Sequence, residues 1–333
     1  MNKEPIISAQ NLSIGYPKSR NRHTSVLYKD MSFKLYAGEL TCLLGSNGAG
    51  KSTLLRTLTG LQPPLKGDIL LQNRNIDKYS EQELSMLLGL VLTDKTVVGG
   101  LTVSELVGVG RYPYTGCFGR LTKEDHRIVE KAMYDVCILH KKDSYVSELS
   151  DGERQKVMIA KALAQECPII ILDEPTVFLD IVNRIEIMNL LHLIASTQNK
   201  TILLSTHDIE LALTLADRLW LLARDKGLKC GVTEDMVLSN AINEYIGNES
   251  IIFDKQTGRF VSEDTIKKQI YLEAEGELYY WTKNFLLRKG YCLTNIPSDD
   301  FSLKILTSTK ILVSQNNQSE TLSSFEELDS WLE

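Results

Sequence analysis

Long apolar runs are missing from this sequence of 333 residues. None approaches the roughly 20 consecutive apolar residues that a membrane-spanning helix needs. The opening residues, Met1–Pro5, also lack the apolar segment of a secretory signal peptide. The sequence therefore predicts a chain without a membrane span of its own, and any association with a membrane is expected to come through a partner chain.

An excess of basic residues is missing as well. The chain has 37 Lys and Arg against 43 Asp and Glu, a formal net charge of -6 at pH 7 and a pI of 5.6. Because nucleic-acid-binding domains usually carry a basic surface, we expect no nucleic-acid partner. Hydrophobic residues at 43% and charged residues at 24% are typical of a globular protein with a real core, and the length allows two domains.

Paired cysteines are also lacking. The six cysteines are scattered, with neither a Cys-x-x-Cys pair nor the spacing of a zinc site. They are Cys42, Cys117, Cys137, Cys167, Cys230 and Cys292. We interpret all of them as reduced thiols, which suits the cytoplasm.

Residues 6–225 alternate short apolar runs with helical patterns, which is typical of an α/β domain. A helix is predicted at Lys51–Thr59, ending at Gly60. Continuously apolar or β-branched runs predict parallel strands at Glu39–Leu44, Ile169–Leu172 and Thr201–Ser205. Capping boxes, in which Ser or Thr is followed three residues later by Glu, predict helix starts at Ser80/Glu83, Thr102/Glu105 and Ser150/Glu153.

The character of the sequence changes after about Arg224, which predicts one domain over residues 1–225 and an accessory domain over 226–333. The second region holds no nucleotide motif and has an α+β pattern. Four aromatic residues at helix-compatible spacing predict a small core there, although a cofactor-binding stripe is the alternative; they are Tyr279, Tyr280, Trp281 and Phe285. Its predicted elements are a strand at Gln269–Leu272, a helix at Glu277–Arg288, strands around Phe301–Ser314 and a helix ending near Trp331.

A phosphate-binding loop follows the first predicted parallel strand. The run from Gly45 to Ser52 reads Gly-Ser-Asn-Gly-Ala-Gly-Lys-Ser, which fits G-x-x-x-x-G-K-[ST] between a strand and a helix. Its glycines allow backbone N–H groups to turn towards phosphate oxygens, and the helix dipole favours an anion. We expect Lys51 to reach the β- and γ-phosphates and Ser52 to bind Mg²⁺.

Two carboxylates supply the second half of this predicted site. Asp173 and Glu174 follow the apolar strand that begins at Ile169, at the strand end where α/β folds bind their ligands. Asp173 is expected to bind Mg²⁺ directly or through water. Glu174 is expected to orient or deprotonate the attacking water.

A third motif, Leu149-Ser150-Asp151-Gly152-Glu153, is another helix N-terminus that favours an anion. In this order the three motifs resemble the ABC-type ATPases, whose signature is usually written LSGGQ; Asp151 and Glu153 depart from it in the manner of the familiar LSDGE variants. The resemblance implies an ABC-type P-loop NTPase fold, with an antiparallel β subdomain and a helical signature subdomain. It further implies a head-to-tail homodimer, in which Ser150, Asp151, Gly152 and Glu153 contact the ATP held by the opposite subunit.

The resemblance also assigns roles outside the three motifs. His207 matches the switch histidine at the γ-phosphate, and Asp180 matches the loop that connects the two sites of the dimer. Family members carry a glutamine near Mg²⁺ where this sequence has Thr93, so the coupling of that position to a membrane partner is in doubt. The ATP-binding residues implied are Tyr16, Gly45, Ser46, Asn47, Gly48, Ala49, Gly50, Lys51, Ser52 and Thr53, with Tyr16 stacked on adenine.

The segments Leu101–Leu106 and Gly110–Leu121, together with the LSDGE variant, look like the ATPases of importers for iron–siderophore complexes, haem and vitamin B12. A solvated helical linker is the alternative interpretation of the second segment. The resemblance implies two such subunits beneath two membrane permeases, at the cytoplasmic face of the inner membrane, with an extracytoplasmic binding protein. The transported ligand is not encoded here, because its specificity resides in the other chains.

Other functions of an ABC-type chain stay open at this point. Transport of another substrate, or export, uses the same ATPase motifs. Soluble ABC proteins that act on ribosomes usually carry two ATPase units, and those that act on DNA insert long coiled coils. This chain has one phosphate loop and no sustained heptads between Lys51 and Ser150, which disfavours both. A ligand-sensing regulator is disfavoured by the complete set of ATPase motifs.

Overall fold

The computed structural model describes residues 4–17, 24–92, 100–116, 119–247, 250–255, 257–262, 268–294, 301–315 and 318–332. The chain divides into two compact units, one formed by Met1–Asn248 with Ile252–Val261 and the other by Glu249–Ile251 with Ser262–Glu333. Among the helices in these ranges, none is both long and apolar enough to cross a membrane.

The strands are β1 (Pro5–Tyr16), β2 (Ser25–Tyr36), β3 (Leu40–Leu44), β4 (Lys66–Leu71), β5 (Arg74–Asn75), β6 (Leu88–Val91), β7 (Ile169–Asp173), β8 (Thr201–Ser205), β9 (Arg218–Ala223), β10 (Gly227–Val232), β11 (Ile251–Asp254), β12 (Arg259–Ser262), β13 (Lys268–Glu273), β14 (Tyr291–Thr294), β15 (Phe301–Thr307), β16 (Lys310–Gln315) and β17 (Gln318–Leu322). The α-helices are α1 (Lys51–Leu58), α2 (Glu81–Leu87), α3 (Val103–Gly108), α4 (Lys123–Asp135), α5 (Asp151–Ala164), α6 (Ile181–Gln198), α7 (Ile209–Leu215), α8 (Thr233–Leu238), α9 (Ala241–Tyr245), α10 (Gly276–Arg288) and α11 (Phe325–Leu332).

The centre of the first unit is a six-stranded sheet in the order β10-β9-β3-β8-β7-β6. All neighbours are parallel except β10, which pairs with β9 in the antiparallel direction. The predicted strands β3, β7 and β8 are buried along their whole length, as expected of parallel strands covered on both faces. The carboxyl ends of parallel strands lie at one edge, so the residues after β3, β7 and β8 are brought together there.

A second sheet in this unit is antiparallel, in the order β2-β1-β4-β5. Its apolar face, including Leu12 and Leu35, shares a core with Leu54 of α1. The ring centroid of Phe33 lies 4.6 Å from that of Trp220 on β9, which ties this sheet to the central one. This sheet is the antiparallel β subdomain that the resemblance implies.

Helices α3, α4 and α5 form the helical part of the unit and pack through residues such as Val107, Met133 and Val157. The three predicted capping boxes are confirmed at the starts of α2, α3 and α5. A fourth, formed by Thr122 and Asp125, opens α4. The Ser/Thr-x-x-Glu pattern does not predict this cap, because Asp125 stands where the pattern has Glu.

The segment Val109–Tyr114 is a 3-10 helix that carries a buried arginine. The guanidinium of Arg111 donates to Asp125 Oδ1 at 2.8 Å, to the Ala164 carbonyl at 2.8 Å and to Glu166 Oε2 at 2.7 Å. It thereby connects the start of α4 to the end of α5. The interpretation of this segment as a solvated linker is wrong at Arg111.

The second unit has a five-stranded sheet in the order β14-β13-β15-β16-β17, with β14 and β15 parallel to β13 and the remaining pairs antiparallel. The predicted strands and helices of this region are confirmed. The aromatic stripe was only partly right, because Tyr279 and Trp281 are 37% and 62% exposed. The face of α10 that packs on the sheet follows the helical period through Leu278, Phe285 and Leu286.

The first unit extends past residue 225, where the change in sequence character suggested a boundary. β10 pairs with β9 along its length, and Met236, Ala241 and Ile242 belong to the same core as the central sheet. Phe253, in β11, is also buried in that core. β10 is a half-buried edge strand, so it lacks the continuous apolar run that made the internal strands recognisable.

Five cysteines lie in the described residues, and all of them are free thiols: Cys42, Cys137, Cys167, Cys230 and Cys292. Burial raises the pKa of the Cys167 thiol to about 11. A buried thiol with so high a pKa behaves as a small apolar core residue.

Candidate functional site

The loop between β3 and α1 turns sharply at two glycines. Gly48 and Gly50 have φ angles of 73° and 100°, in the left-handed region that favours glycine. A Cβ on Gly45 would lie 2.5 Å from the carbonyl oxygen of Leu222, so only glycine fits where the loop leaves the sheet. These positions explain why the motif requires glycine rather than another small residue.

Two side chains outside the motif hold the carbonyls of this loop. The Tyr28 hydroxyl donates to the Ala49 carbonyl at 2.5 Å, and the Arg224 guanidinium donates to the Gly48 carbonyl at 2.9 and 3.2 Å. Both residues come from other strands or strand ends and were missed by sequence reasoning. No local pattern marks them, because each meets the loop only through the fold.

Lys51 is buried at the first position of α1 and points back into the loop. Its Nζ donates to the Gly45 carbonyl at 3.0 Å and lies 3.1 Å from His207 Nε2 and 3.6 Å from Glu174 Oε1. Burial lowers the pKa of the Lys51 ammonium, and the carboxylates of Glu174 and Asp173 oppose that effect. The three predicted catalytic residues, Lys51, Glu174 and His207, are therefore in one cluster.

Asp173 and Glu174, at the end of β7, are held by Ser205 of β8. The Ser205 hydroxyl donates to Asp173 Oδ1 at 2.6 Å and accepts from the Glu174 N–H at 2.9 Å. Glu174 Oε1 lies 2.8 Å from His207 Nε2, two residues after Ser205. A cavity of about 700 Å³ opens beside this cluster and is lined by Glu174, His207 and Asp208, among others. Ser205 is a further residue that the sequence motifs did not identify.

Tyr16 and Thr53 meet at the side of the phosphate loop. The Tyr16 hydroxyl lies 3.1 Å from Thr53 Oγ1, and the Tyr16 side chain is 52% exposed. Its position at the end of β1 leaves the ring accessible to a planar ligand beside α1. Ser52 lies next to Thr53 in the first turn of the same helix.

The signature residues cap α5 and lie next to the start of α6. The Ser150 hydroxyl accepts from the Glu153 N–H at 3.2 Å, and Glu153 Oε2 accepts from the Ser150 N–H at 3.0 Å. A Cβ on Gly152 would lie 2.4 Å from Oδ1 of Asn183, whose own backbone N–H is bound by Asp180 at 2.8 Å. The signature and the Asp180 loop are therefore packed together in one chain.

Within the described residues, Ser150, Asp151 and Glu153 make no hydrogen bond or ion pair to the phosphate loop of the same chain. Their bonds stay within α5 and its flanks, with an ion pair of 3.4 Å from Glu153 to Lys141. The predicted position Thr93 lies outside the described residues.

The donor set fits a magnesium–phosphate complex rather than a metal held by protein alone. In the part of the chain that the structure describes, no group of three or more His, Cys, Asp or Glu side chains is placed to hold a metal. Mg²⁺ is commonly bound through one or two protein oxygens and completed by phosphates and water. The hydroxyl of Ser52 and the carboxylate of Asp173 are ligands of that kind, beside a loop whose glycines admit phosphate.

Comparison with known proteins agrees with this arrangement. Residues 28–177 match the ABC transporter family model, and residues 267–333 match the iron ABC transporter C-terminal domain. An uncharacterized ABC transporter ATP-binding protein of Methanocaldococcus jannaschii is 35% identical, over 86% of this chain and 97% of the relative. The ferric enterobactin transport ATP-binding protein FepC of Escherichia coli is 36% identical, over 74% of this chain and 89% of the relative.

A solved structure gives the same result at the level of the fold. It is a dimeric ATP-binding cassette in a post-hydrolysis state, bound to ADP and Pi. It aligns with a TM-score of 0.59 and 25% identity, over 68% of this chain and 98% of that chain. The central and antiparallel sheets, the phosphate loop and the relatives that span most of the chain lead to one assignment: this chain belongs to the family of ATP-binding proteins of ABC transporters.

Proposed function

We propose that this chain is the ATP-hydrolysing subunit of an importer for iron–siderophore complexes, within the importer class that also takes up haem and vitamin B12. The observation that carries the ATPase function is the cluster of Lys51, Glu174 and His207 at the carboxyl edge of the sheet. The iron substrate class is supported by the match of residues 267–333 to the iron ABC transporter C-terminal domain and by the similarity to FepC, a ferric enterobactin transport protein.

ATP binding is proposed to exchange the present partners of Lys51 for phosphate oxygens. The ammonium is now satisfied by the Gly45 carbonyl and by its neighbours Glu174 and His207. A phosphate placed in the loop offers stronger, charged acceptors. Lys51 would then release Glu174 and His207, leaving the first to orient or deprotonate water and the second to contact the γ-phosphate. Tyr16 would stack on the adenine.

Mg²⁺ is proposed to be held by Ser52 and Asp173 together with the nucleotide. When bound, the ion neutralises charge on the phosphates and orients them. The contribution of this chain is to fix the two protein ligands. Ser52 is fixed by the first turn of α1, and Asp173 is fixed by the hydroxyl of Ser205.

Hydrolysis is proposed to require a head-to-tail homodimer. The capped N-terminus of α5 has N–H groups and a dipole that favour an anion, but in the part of the chain that the structure describes its hydrogen bonds do not reach the phosphate loop of the same chain. A second copy can bring its α5 to the γ-phosphate. Asp180, which binds Asn183 beside Gly152, would then connect the signature of one site to the other site.

The permease is proposed to dock on the groove between α2 and the Val109–Tyr114 turn. This groove has a volume of about 590 Å³ and is lined by Gln82, Tyr112 and Lys161, among others. Tyr112 is 73% exposed, and an exposed aromatic ring beside a groove suits a partner helix. Docking there would hold the chain at the cytoplasmic face of the inner membrane.

The test combines hydrolysis with uptake. Glu174→Gln is expected to lower ATP turnover by about 10²- to 10⁴-fold while ATP binding is retained, because a general base acts on the chemical step. In cells lacking the native gene, the wild type should restore uptake of radioiron-labelled siderophore and Glu174→Gln should not. Glu130→Gln, an exposed carboxylate on α4, is the matched control and should behave as wild type. Wild-type hydrolysis without any effect on siderophore, haem or cobalamin uptake would reject the substrate class alone.

A further inference from the structure

Ser205, the last residue of β8, is fully buried beside Asp173 and Glu174. It lies opposite Asp173 in the parallel ladder of β7 and β8. Its hydroxyl donates to Asp173 Oδ1 at 2.6 Å and accepts from the Glu174 N–H at 2.9 Å. One hydroxyl therefore contacts two successive residues that have different proposed roles.

The donated bond fixes the orientation of the Asp173 carboxylate. A carboxylate can rotate about its last torsion, and each rotation presents a different pair of lone pairs to a metal ion. A short bond from a buried hydroxyl to one oxygen selects one rotation. The orientation of the Asp173 carboxylate towards a bound Mg²⁺ therefore depends on the hydroxyl of Ser205 in β8.

The accepted bond fixes the backbone of Glu174. This residue has a φ angle of 48°, in the left-handed region that residues with a Cβ rarely adopt. Its N–H is held by Ser205, and its carbonyl accepts from the Val177 N–H at 3.3 Å. Strained backbone of this kind persists only where its surroundings enforce it. The strained turn directs the Glu174 carboxylate to His207 and Lys51.

We propose that Ser205 is a positioning residue that sets the metal-binding and water-activating carboxylates together. The proposal rests on the roles of Asp173 and Glu174 given under the proposed function. A hydroxyl can donate once and accept as well, which a side chain with only apolar atoms cannot do. Thr201, at the other end of β8, shows that burial alone does not impose such bonds, because its buried Oγ1 has no hydrogen-bond partner among the described residues.

The decisive experiment compares steady-state hydrolysis by the full-length protein and its variants across a titration of Mg²⁺. For Ser205→Ala we expect kcat to fall by about 10- to 100-fold, because a small misplacement of reacting groups is that costly. The Mg²⁺ concentration for half-maximal rate should rise. Affinity for ATP in EDTA should stay within about twofold of wild type, since the phosphate loop sets it.

Two further variants separate positioning from a general structural effect. Thr201→Val removes a buried, unpaired hydroxyl from the same strand, so it should leave kcat and the Mg²⁺ requirement unchanged and should not lower the thermal midpoint. Ser205→Thr keeps the hydroxyl and should restore most of the activity that Ser205→Ala loses. A threonine variant as inactive as the alanine variant would count against the hydroxyl as the cause.

The outcomes also distinguish this proposal from the proposed function. If the wild type hydrolyses ATP and Ser205→Ala matches it in kcat and Mg²⁺ requirement, the role of Ser205 is rejected and the ATPase assignment stands. A loss of metal-free ATP affinity equal to the loss of kcat would likewise reject a positioning role. If the wild type hydrolyses no ATP under any condition, the function beneath the proposal fails.

Discussion

A single ring nitrogen of His207 faces both a cation and an anion. Nε2 lies 3.1 Å from Lys51 Nζ and 2.8 Å from Glu174 Oε1. If Nε2 carries a proton it donates to Glu174 and repels the ammonium, and if it lacks one it accepts from Lys51 and has no proton for the carboxylate. No protonation state of the ring satisfies both contacts. This competition suits a site whose partners rearrange when a phosphate arrives.

The signature serine offers a test of the two-chain site at the residue scale. Ser150→Arg places a bulky cation at the N-terminus of α5, where it opposes the helix dipole and blocks an anion. We expect hydrolysis to be abolished, while ATP binding to the phosphate loop of the same chain is nearly unchanged. Turnover assays and equilibrium binding of a fluorescent ATP analogue measure the two effects.

The control for this substitution is Ser196→Arg, which adds the same cation to an exposed position on α6 and should keep wild-type turnover. A mixture of Ser150→Arg with Lys51→Ala should contain dimers with at most one intact site. Full turnover by Ser150→Arg alone would contradict the assignment of the signature to the opposite chain's nucleotide.

Residues within contiguous motifs were predictable, and residues that meet the motifs through the fold were not. Lys51, Glu174 and His207 could be identified because each directly follows or ends a recognisable strand or loop. Ser205, Tyr28 and Arg224 hold the same site, yet each makes its contacts with segments far away in the sequence. A single sequence contains no local signal for such a contact, because burial and register decide it.

At the scale of elements, helix starts were the most predictable features. The capping boxes at Ser80, Thr102 and Ser150 involve residues three positions apart, so local chemistry suffices to recognise them. The parallel strands β3, β7 and β8 were predictable for a similar reason, since burial on both faces of the sheet imposes continuous apolar runs. Edge strands such as β10 carry no such requirement, and their membership depends on tertiary packing.

The cap of α4 leads to a prediction about stability. Asp125 accepts from the hydroxyl and N–H of Thr122 and from buried Arg111. These hydrogen bonds hold the pKa of Asp125 at about 2, and the bond from the Thr122 hydroxyl has the largest effect. Asp125→Asn should lower the free energy of unfolding by about 2–3 kcal/mol, because it removes the charge opposite a buried guanidinium. Urea unfolding at neutral pH measures this loss.

The pH dependence of that loss follows from the direction of the pKa shift. A carboxylate with a depressed pKa stabilises the fold above its unfolded value of 3.8, and the effect disappears as the pH falls towards 2. The difference in the free energy of unfolding between wild type and Asp125→Asn should be constant from about pH 8 to about pH 5 and should become smaller below about pH 4. Glu124→Gln changes an exposed acid in the same turn and should leave the free energy of unfolding nearly unchanged. A difference in the free energy of unfolding that increases at acidic pH would contradict this account.

For the whole molecule, the α/β class of the first unit and the α+β pattern of the second could be predicted, but the boundary between the units could not. The sequence change near residue 225 coincides with the end of the fully buried strands. The compact ATPase unit nevertheless continues through β10, α8 and α9 and includes Ile252–Val261, which covers most of β11 and β12. The side-chain amide of Asn243 donates to the Phe253 carbonyl, and Asn243 Oδ1 accepts from the Phe253 N–H. These two bonds attach β11 to α9.

Two shortened chains test this division. A chain of residues 1–225 loses Met236, Ile242 and Phe253 from the main core. Truncating one large core side chain costs about 2–5 kcal/mol, and a whole domain is stable by only about 5–15 kcal/mol. We therefore expect residues 1–225 to be insoluble or unfolded.

A chain of residues 1–262 keeps that core intact and should fold, bind ATP and hydrolyse it. Circular dichroism, nucleotide titration and turnover of both chains beside the full-length protein give the comparison. Cooperative unfolding and wild-type ATP affinity in residues 1–225 would place the boundary where the sequence alone suggested it, and the packing of β10 and α9 would then be dispensable.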